Sequence, residues 1–323
     1  MINRELIRIK TIQVAYSYYQ KGDNQLDLAE KELRKSLSKA YDLYNCLLQL
    51  MVEVHRIAER SYETALNRYH RVHEGVMPSA KFVDNLFINQ LESNRQLRDF
   101  AEAQSPWMDD EDFIRRLYNL VIESEAYQEY MKSPAPHVYD SDRELWRRLY
   151  KQVFMKCDEL DSVLEEKDLF WNDDRFVIDT FVLKTINRFE QKNGSNQELL
   201  PEFRDEEDVD FAVRLLRASI LGADNYRALI NQFLRNWELN RVAFMDLLIM
   251  QTALAEIFTF AQIPITVTIN EYVNIAKMYS TPQSGRYVNG MLDAMARYLV
   301  ETGKVQKEMP GRVRPDGPSQ DIE

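Results

Sequence analysis

An all-α fold is predicted for this chain of 323 residues, and three observations predict it. Glycine and proline are scarce, nine and ten in all, and they cluster. No glycine occurs from Val76 to Asn193, and neither residue occurs between Gly22 and Gly75, so the hairpin turns of a β fold, which need positive φ, have nothing to form from. Within those stretches apolar residues recur every three or four positions, the period of a helix with one buried face.

Each element follows in order. Residues 3–20 form a first helix whose apolar face is supplied mostly by Leu6, Ile9, Ile12, Val14, Tyr16 and Tyr19. Gly22-Asp23-Asn24 ends it and offers a cap to the next. From Leu26 to about His73 the helical period is held by Leu33, Leu37, Tyr44, Met51 and Ala58, among others, which predicts one helix of about 70 Å at 1.5 Å per residue. Pro78, Pro106, the Pro134-Ala135-Pro136 break and Pro201 divide the middle into helices at 79–103, 109–132, 141–167 and 172–192. Ser79, Asp109, Ser141 and Asn172 are placed to cap them. GSNQELLPEFRDEED at 194–208 is a linker, and helices follow at 208–236, 239–261, 267–280 and 284–301. The tail 302–323 is polar, bears proline and glycine, and is predicted to be disordered.

Composition excludes several functions. The net charge of −11 argues against indiscriminate nucleic-acid binding. The charge is uneven: residues 1–20 carry +2, 204–301 carry −3 and 302–323 carry none, which leaves −10 on 21–203. Cys46 and Cys157 stand alone and no CxxC, HxxxH or HExxH spacing occurs, so neither a metal nor another cofactor is expected. GxGxxG, GxxxxGK[ST] and GxSxG are absent too, so the chain is not expected to be an enzyme. The N-terminus has no apolar signal core and no apolar run approaches a membrane span, which points to a cytoplasmic protein that meets no membrane.

VTINEYVNIAKMYSTPQSGRYVNGML, from Val267 to Leu292, is the most informative stretch. Thr268 and Glu271 fit a capping box at a helix start, Ser284 is placed to start the last helix, and Gly290 inside that helix suggests close approach by a neighbouring backbone. The INE…AK…S..YVNG..L pattern resembles the C-terminal signature of the NusB family of transcription antitermination factors. Upstream, Phe211–Leu215, Leu229-Ile230, Asn236-Trp237, Arg241, Asp246, Ala253-Leu254 and Glu256 are similar to the family's preceding helices. Arg8 and Gln13–Ser17 look like its first helix. The resemblance implies NusB-like helical bundles built from 1–22 and 204–301, with 23–203 an acidic helical insertion.

The resemblance also implies binding of a short single-stranded boxA element of ribosomal RNA together with the small-subunit ribosomal protein NusE (S-ten), within an RNA polymerase antitermination complex that supports rRNA transcription. On that basis Arg4, Arg8 and Lys10 are expected at phosphates, Gln13 and Asp246 at bases, and Tyr16 at the protein partner. The chain departs from the family where Glu5 and Leu6 stand in place of further arginines, where Leu247 and Gln251 replace frequent basic residues, and where Ala218 and Arg227 replace a usual glycine and aspartate. Fewer cations imply a shallower salt dependence of RNA binding. Arg143, Arg147, Arg148 and Lys151 beside Trp146 and Tyr150 form a second basic–aromatic patch, which reads more readily as a buried aromatic stripe edged by cations. The alternative is a helical protein-interaction scaffold with reduced or lost RNA binding.

Overall fold

The computed structural model describes residues 1–22, 25–72, 75–134, 138–171, 174–234 and 242–307. Its regular elements are helical, and the one β-bridge among the described residues is an isolated pairing of Ile2 with Phe203. The chain divides into two compact units: Met1 with Ser38–Glu202, and Ile2–Leu37 with Phe203–Glu323.

The second unit carries the family-like residues. It contains helix α1 (Arg4–Lys21), the first turns of α2 (Leu26–Val72), and α10 (Glu206–Leu221), α11 (Ala223–Phe233), α12 (Phe244–Thr259), α13 (Ile265–Tyr279) and α14 (Ser284–Glu301). Asn3 caps α1 by accepting from the Leu6 N–H at 2.9 Å, and Gly22 closes it at φ 67°. Helix α12 is the hub, touching α1, α10, α11, α13 and α14, and its sequence explains why: from Asp246 to Ile257 every residue is buried. A helix enclosed on all sides must satisfy its polar groups internally. Gln251 Nε2 donates to the Ser219 carbonyl at 2.8 Å, and the Thr252 and Ser219 hydroxyls meet at 2.9 Å.

The structural unit extends past the predicted boundary at residue 22. Ala29, Leu33 and Leu37 on α2 are buried, and Glu30 and Glu32 pair with Arg217 and Lys21. The predicted helix 208–236 is two helices, α10 and α11, separated at Gly222. The Tyr226 ring lies over that glycine, and an added Cβ would sit 2.4 Å from it, so a side chain there would have to push the ring aside.

The other unit holds the remainder of α2 with α3 (Leu86–Glu92), α4 (Arg95–Gln104), α5 (Glu111–Glu123), α6 (Glu125–Lys132), α7 (Tyr139–Gln152), α8 (Asp158–Lys167) and α9 (Arg175–Arg188). Three predicted long helices are broken here: 141–167 at residues 153–157, where no side chain caps α8, and the other two at side chains able to cap a new helix. Asn85, Asn94 and Ser124 accept from the N–H groups of Ile88, Leu97 and Tyr127. Residues 79–85 are consequently turn rather than helix, with Ser79 accepting from the Lys81 N–H. Asp109 and Ser141 do not cap; the helices begin at Glu111 and Tyr139, and Ser141 Oγ donates back to the Val138 carbonyl. Asn172, Asp23, Asn24, His73 and residues 308–323 lie outside the described residues.

Trp146 and Tyr150 are fully buried core, Trp146 stacked on Phe82 and Tyr150 on Phe154. The arginines at their edge are paired: Arg143 with Asp140, Arg147 with Glu144 and Arg148 with Glu129. The second patch is therefore a packed stripe, as its spacing suggested. No helix among the described residues is long and apolar enough to cross a membrane.

Candidate nucleic-acid interface

The first helix is buried from Leu6 to Ile12, so its two ends, not its middle, present polar groups. Arg8, expected at phosphates, faces inward with a side chain 4% exposed. Its Nε and Nη2 donate to Glu256 Oε2 at 2.8 Å and Oε1 at 3.0 Å, and Nη1 donates to Glu271 Oε2 at 3.2 Å. Glu256 also accepts from Thr268 Oγ1 at 2.8 Å and from the Tyr272 hydroxyl at 3.2 Å. Burial, the largest single influence, lowers the guanidinium's pKa, but the hydrogen bond and charge of Glu256 together with Tyr272 and Glu271 outweigh it and leave the pKa raised. A cation held by three such bonds and closed off from solvent is not presented to RNA.

The network also corrects the reading of the signature. Helix α13 starts at Ile265 after Pro264, so Thr268 and Glu271 lie inside it and form no capping box. They bind the Glu256–Arg8 pair instead. Burial raises the pKa of Glu271, opposed by Arg8.

Lys10 is buried as well, which removes it from the phosphate-facing set. Arg4 is the partly open cation, its side chain 30% exposed, with Nε 3.4 Å from Asp208 and the guanidinium 5.0 Å above the Phe211 ring. Arg8 lies 5.6 Å from the centroid of the same ring. Phe211 thus lines up both arginines by cation–π attraction.

At the far end of α1, Gln13 is half-buried and Tyr16 is 38% exposed. The Tyr16 ring lies 5.5 Å from Phe244, the first residue of α12, and Tyr19 meets Phe244 edge-on at 6.0 Å. Arg227 from α11 stands 4.5 Å over the Tyr19 ring, and its Nε donates to Gln251 Oε1 at 2.8 Å while Gln251 Nε2 donates to the Tyr19 hydroxyl at 3.0 Å. Three helices therefore assemble an aromatic platform edged by a cation. Phe244 and Arg227 were not among the sequence candidates. Arg227 and Gln251 had registered only as separate departures from the family pattern; in space they are one pair.

Asp246, expected at a base, is buried at the start of α12. Its Oδ2 accepts from Ser284 Oγ at 2.9 Å, while its Oδ1 is buried without a hydrogen-bond partner. Ser284 begins α14 by this bond and by accepting from the Thr281 N–H, with Gln283 in the cap position. Both residues line a cavity of about 730 Å³, with Phe233, Val242, Tyr287 and Met291 on its walls. Gly290 borders it too, and a Cβ there would meet nothing within 4 Å. The expected close backbone approach at Gly290 is not present. Asn236, Trp237 and Arg241 lie outside the described residues.

Comparison with known proteins places this unit. The profile of the NusB family matches residues 179–297, beginning inside the stretch that the sequence assigned to an insertion. The transcription antitermination protein NusB of Salinibacter ruber is 33% identical over 141 residues, covering 42% of this chain and 88% of that protein. NusB of Syntrophotalea carbinolica is 31% identical over 155 residues, covering 48% of this chain and 92% of that protein. A solved structure of T. maritima NusB shares 32% identity, covers 36% of this chain and 82% of that chain, and superposes with a TM-score of 0.28. Nearly the whole length of these curated relatives finds its counterpart here, and the chain belongs to the NusB family of transcription antitermination proteins.

Proposed function

We propose that this chain is a cytoplasmic, non-enzymatic antitermination factor that grips a boxA-type single strand of ribosomal RNA leader together with the ribosomal protein NusE (S-ten). The observation that carries this reading is the platform of Tyr16, Tyr19 and Phe244 with Arg227 at its edge. Single-stranded RNA is held by base stacking on aromatic faces and by cations at the backbone, and each stacked base contributes about 1–3 kcal/mol. Gln13, half-buried on the same helix, offers a donor and an acceptor to a base edge. Arg4 supplies a phosphate contact at the helix's other end. In this reading Tyr16 moves from the protein partner to RNA, and Asp246 moves the other way. An anionic oxygen without a partner repels phosphate and suits a lysine or arginine of a basic ribosomal protein.

The decisive measurement is binding of a labelled boxA-type RNA and a scrambled control to the full chain, with and without NusE. The reading expects preference for the boxA-type strand and tighter binding with the partner. Equal affinity for both strands would sink it. A second reading, a scaffold with weakened RNA binding, is favoured by the burial of Arg8 and Lys10. It expects NusE to bind while neither RNA does.

A further inference from the structure

We propose that His55, Glu59 and Glu92 form a binding site for a single first-row divalent transition-metal cation of the zinc class. The site lies on α2 and α3, outside the residues that match the family, and is independent of the RNA reading. His55 and Glu59 are one helical turn apart on α2, so both project from one face, and Glu92 arrives from the last turn of α3. Sequence spacing gave no hint of it, because HxxxE is not a metal motif by itself and the third ligand is distant in the chain.

The histidine carries the argument. Its side chain is 0% exposed, and Nε2 lies 3.1 Å from the Val83 carbonyl, a partner that can only accept. The proton is therefore on Nε2, and Nδ1 presents a lone pair. Two more acceptors stand near that nitrogen, Glu59 Oε1 and Glu92 Oε2, each 3.9 Å away. Nδ1 has no hydrogen-bond partner, and all three ligand atoms lie within 4.8 Å of one another. Three acceptors converging on one point, one of them fully buried, repel unless a cation sits between them. An imidazole whose other N–H is held by a carbonyl is the usual outer arrangement behind a metal-bound histidine. The ring's orientation is fixed by Phe82 at 6.1 Å and Trp146 at 6.5 Å.

Charge and geometry agree. Arg56 is bonded to the other oxygen of Glu92, Oε1 at 2.8 Å, and to Glu53 at 2.7 Å, leaving Glu92 Oε2 free for the cation. One imidazole nitrogen and two carboxylate oxygens favour zinc, cobalt, iron or manganese over magnesium or calcium. Bond lengths of about 2.0–2.1 Å require ligand atoms about 3.3 Å apart in a tetrahedron, so each carboxylate closes on Nδ1 by roughly half an ångström and the two carboxylate oxygens close on one another by up to about 1.5 Å. Glu59, its side chain 42% exposed, has the freedom to do so and leaves the fourth position to water.

The test uses the full chain, stripped with chelator and dialysed, titrated with zinc by calorimetry and with cobalt(II) by visible absorption. One equivalent is expected to bind, with the absorption of four-coordinate cobalt and with zinc displacing it while millimolar magnesium does not. Because His55→Ala removes a buried ring, Glu59→Gln on the open side is the companion variant; it is expected to keep its helical circular dichroism and to bind at least tenfold more weakly. No stoichiometric zinc binding by the unaltered chain, or equal binding in both variants, would overturn the site. So would a thiolate-to-cobalt charge-transfer band, which would assign the metal to Cys46 or Cys157.

Discussion

Arg8 and Glu256, 248 residues apart in sequence, meet as a bidentate pair with donor–acceptor distances of 2.8 and 3.0 Å. The pair ties the first helix to the hub of the family-like unit. Truncating one member of a buried pair strands the other charge, which typically costs about 3–5 kcal/mol. Arg8→Ala and Glu256→Ala are each expected to lose stability of that order in chemical denaturation. A cost below about 1 kcal/mol for either would show that the pair is not structurally important. Under conditions where Arg8→Ala stays folded, its RNA affinity should match that of the unaltered chain.

Tyr16→Ala tests the stacking platform. The ring is part exposed, so the unfolding midpoint should barely move. RNA affinity is expected to fall by about 1–3 kcal/mol, roughly five- to 150-fold. Unchanged affinity, measured by fluorescence anisotropy, would remove Tyr16 from the interface.

Much of this was legible in sequence, and the reason for the rest is physical. The helices of the family-like unit could be read because α13 and α14 bury apolar residues at helical period, α1 and α12 are long apolar-rich runs without internal glycine or proline, and most of their ends fall near glycine or proline. The breaks at Asn94 and Ser124 were missed because a capping side chain inside a periodic run looks like any other polar residue until the backbone turns. Arg8 was misplaced for a related reason. An arginine on an amphipathic helix looks solvated by default, and only the arrival of Glu256 from a distant helix makes its burial tolerable. The Arg227–Gln251–Tyr19 contact was invisible because it joins three helices.

Salt dependence checks how many cations meet the strand. With Arg8 and Lys10 buried, Arg4 and Arg227 are the phosphate contacts this reading assigns. At about 0.7 per contact on a single strand, two contacts give a slope of log K against log salt near −1.4. Arg4→Ala should reduce that slope by about 0.7 while leaving sequence preference intact. A slope several times steeper would mean that cations elsewhere carry the binding.

Asp246→Asn separates the two partners. The amide keeps an oxygen for Ser284 Oγ but removes the charge that faces the cavity. Affinity for NusE should drop severalfold in calorimetry, and affinity for RNA alone should hold or rise slightly. A loss of RNA binding with NusE unaffected would return Asp246 to the base-reading role that the family resemblance first suggested.

Gly290 gives the sharpest discrimination, because one added methyl should move two readouts in opposite directions. Glycine inside α14 costs about 0.5–1 kcal/mol relative to alanine, and the space around its missing Cβ is open. Gly290→Ala should therefore raise the unfolding midpoint. The same methyl projects at the border of the cavity beside Asp246, where a partner side chain would have to enter. If the cavity receives NusE, affinity for that protein falls as stability rises, and bulkier residues at 290 should deepen the loss. A variant that is more stable and binds NusE as before would place the partner on another face, and the glycine would then have no role in either folding or binding that this geometry explains.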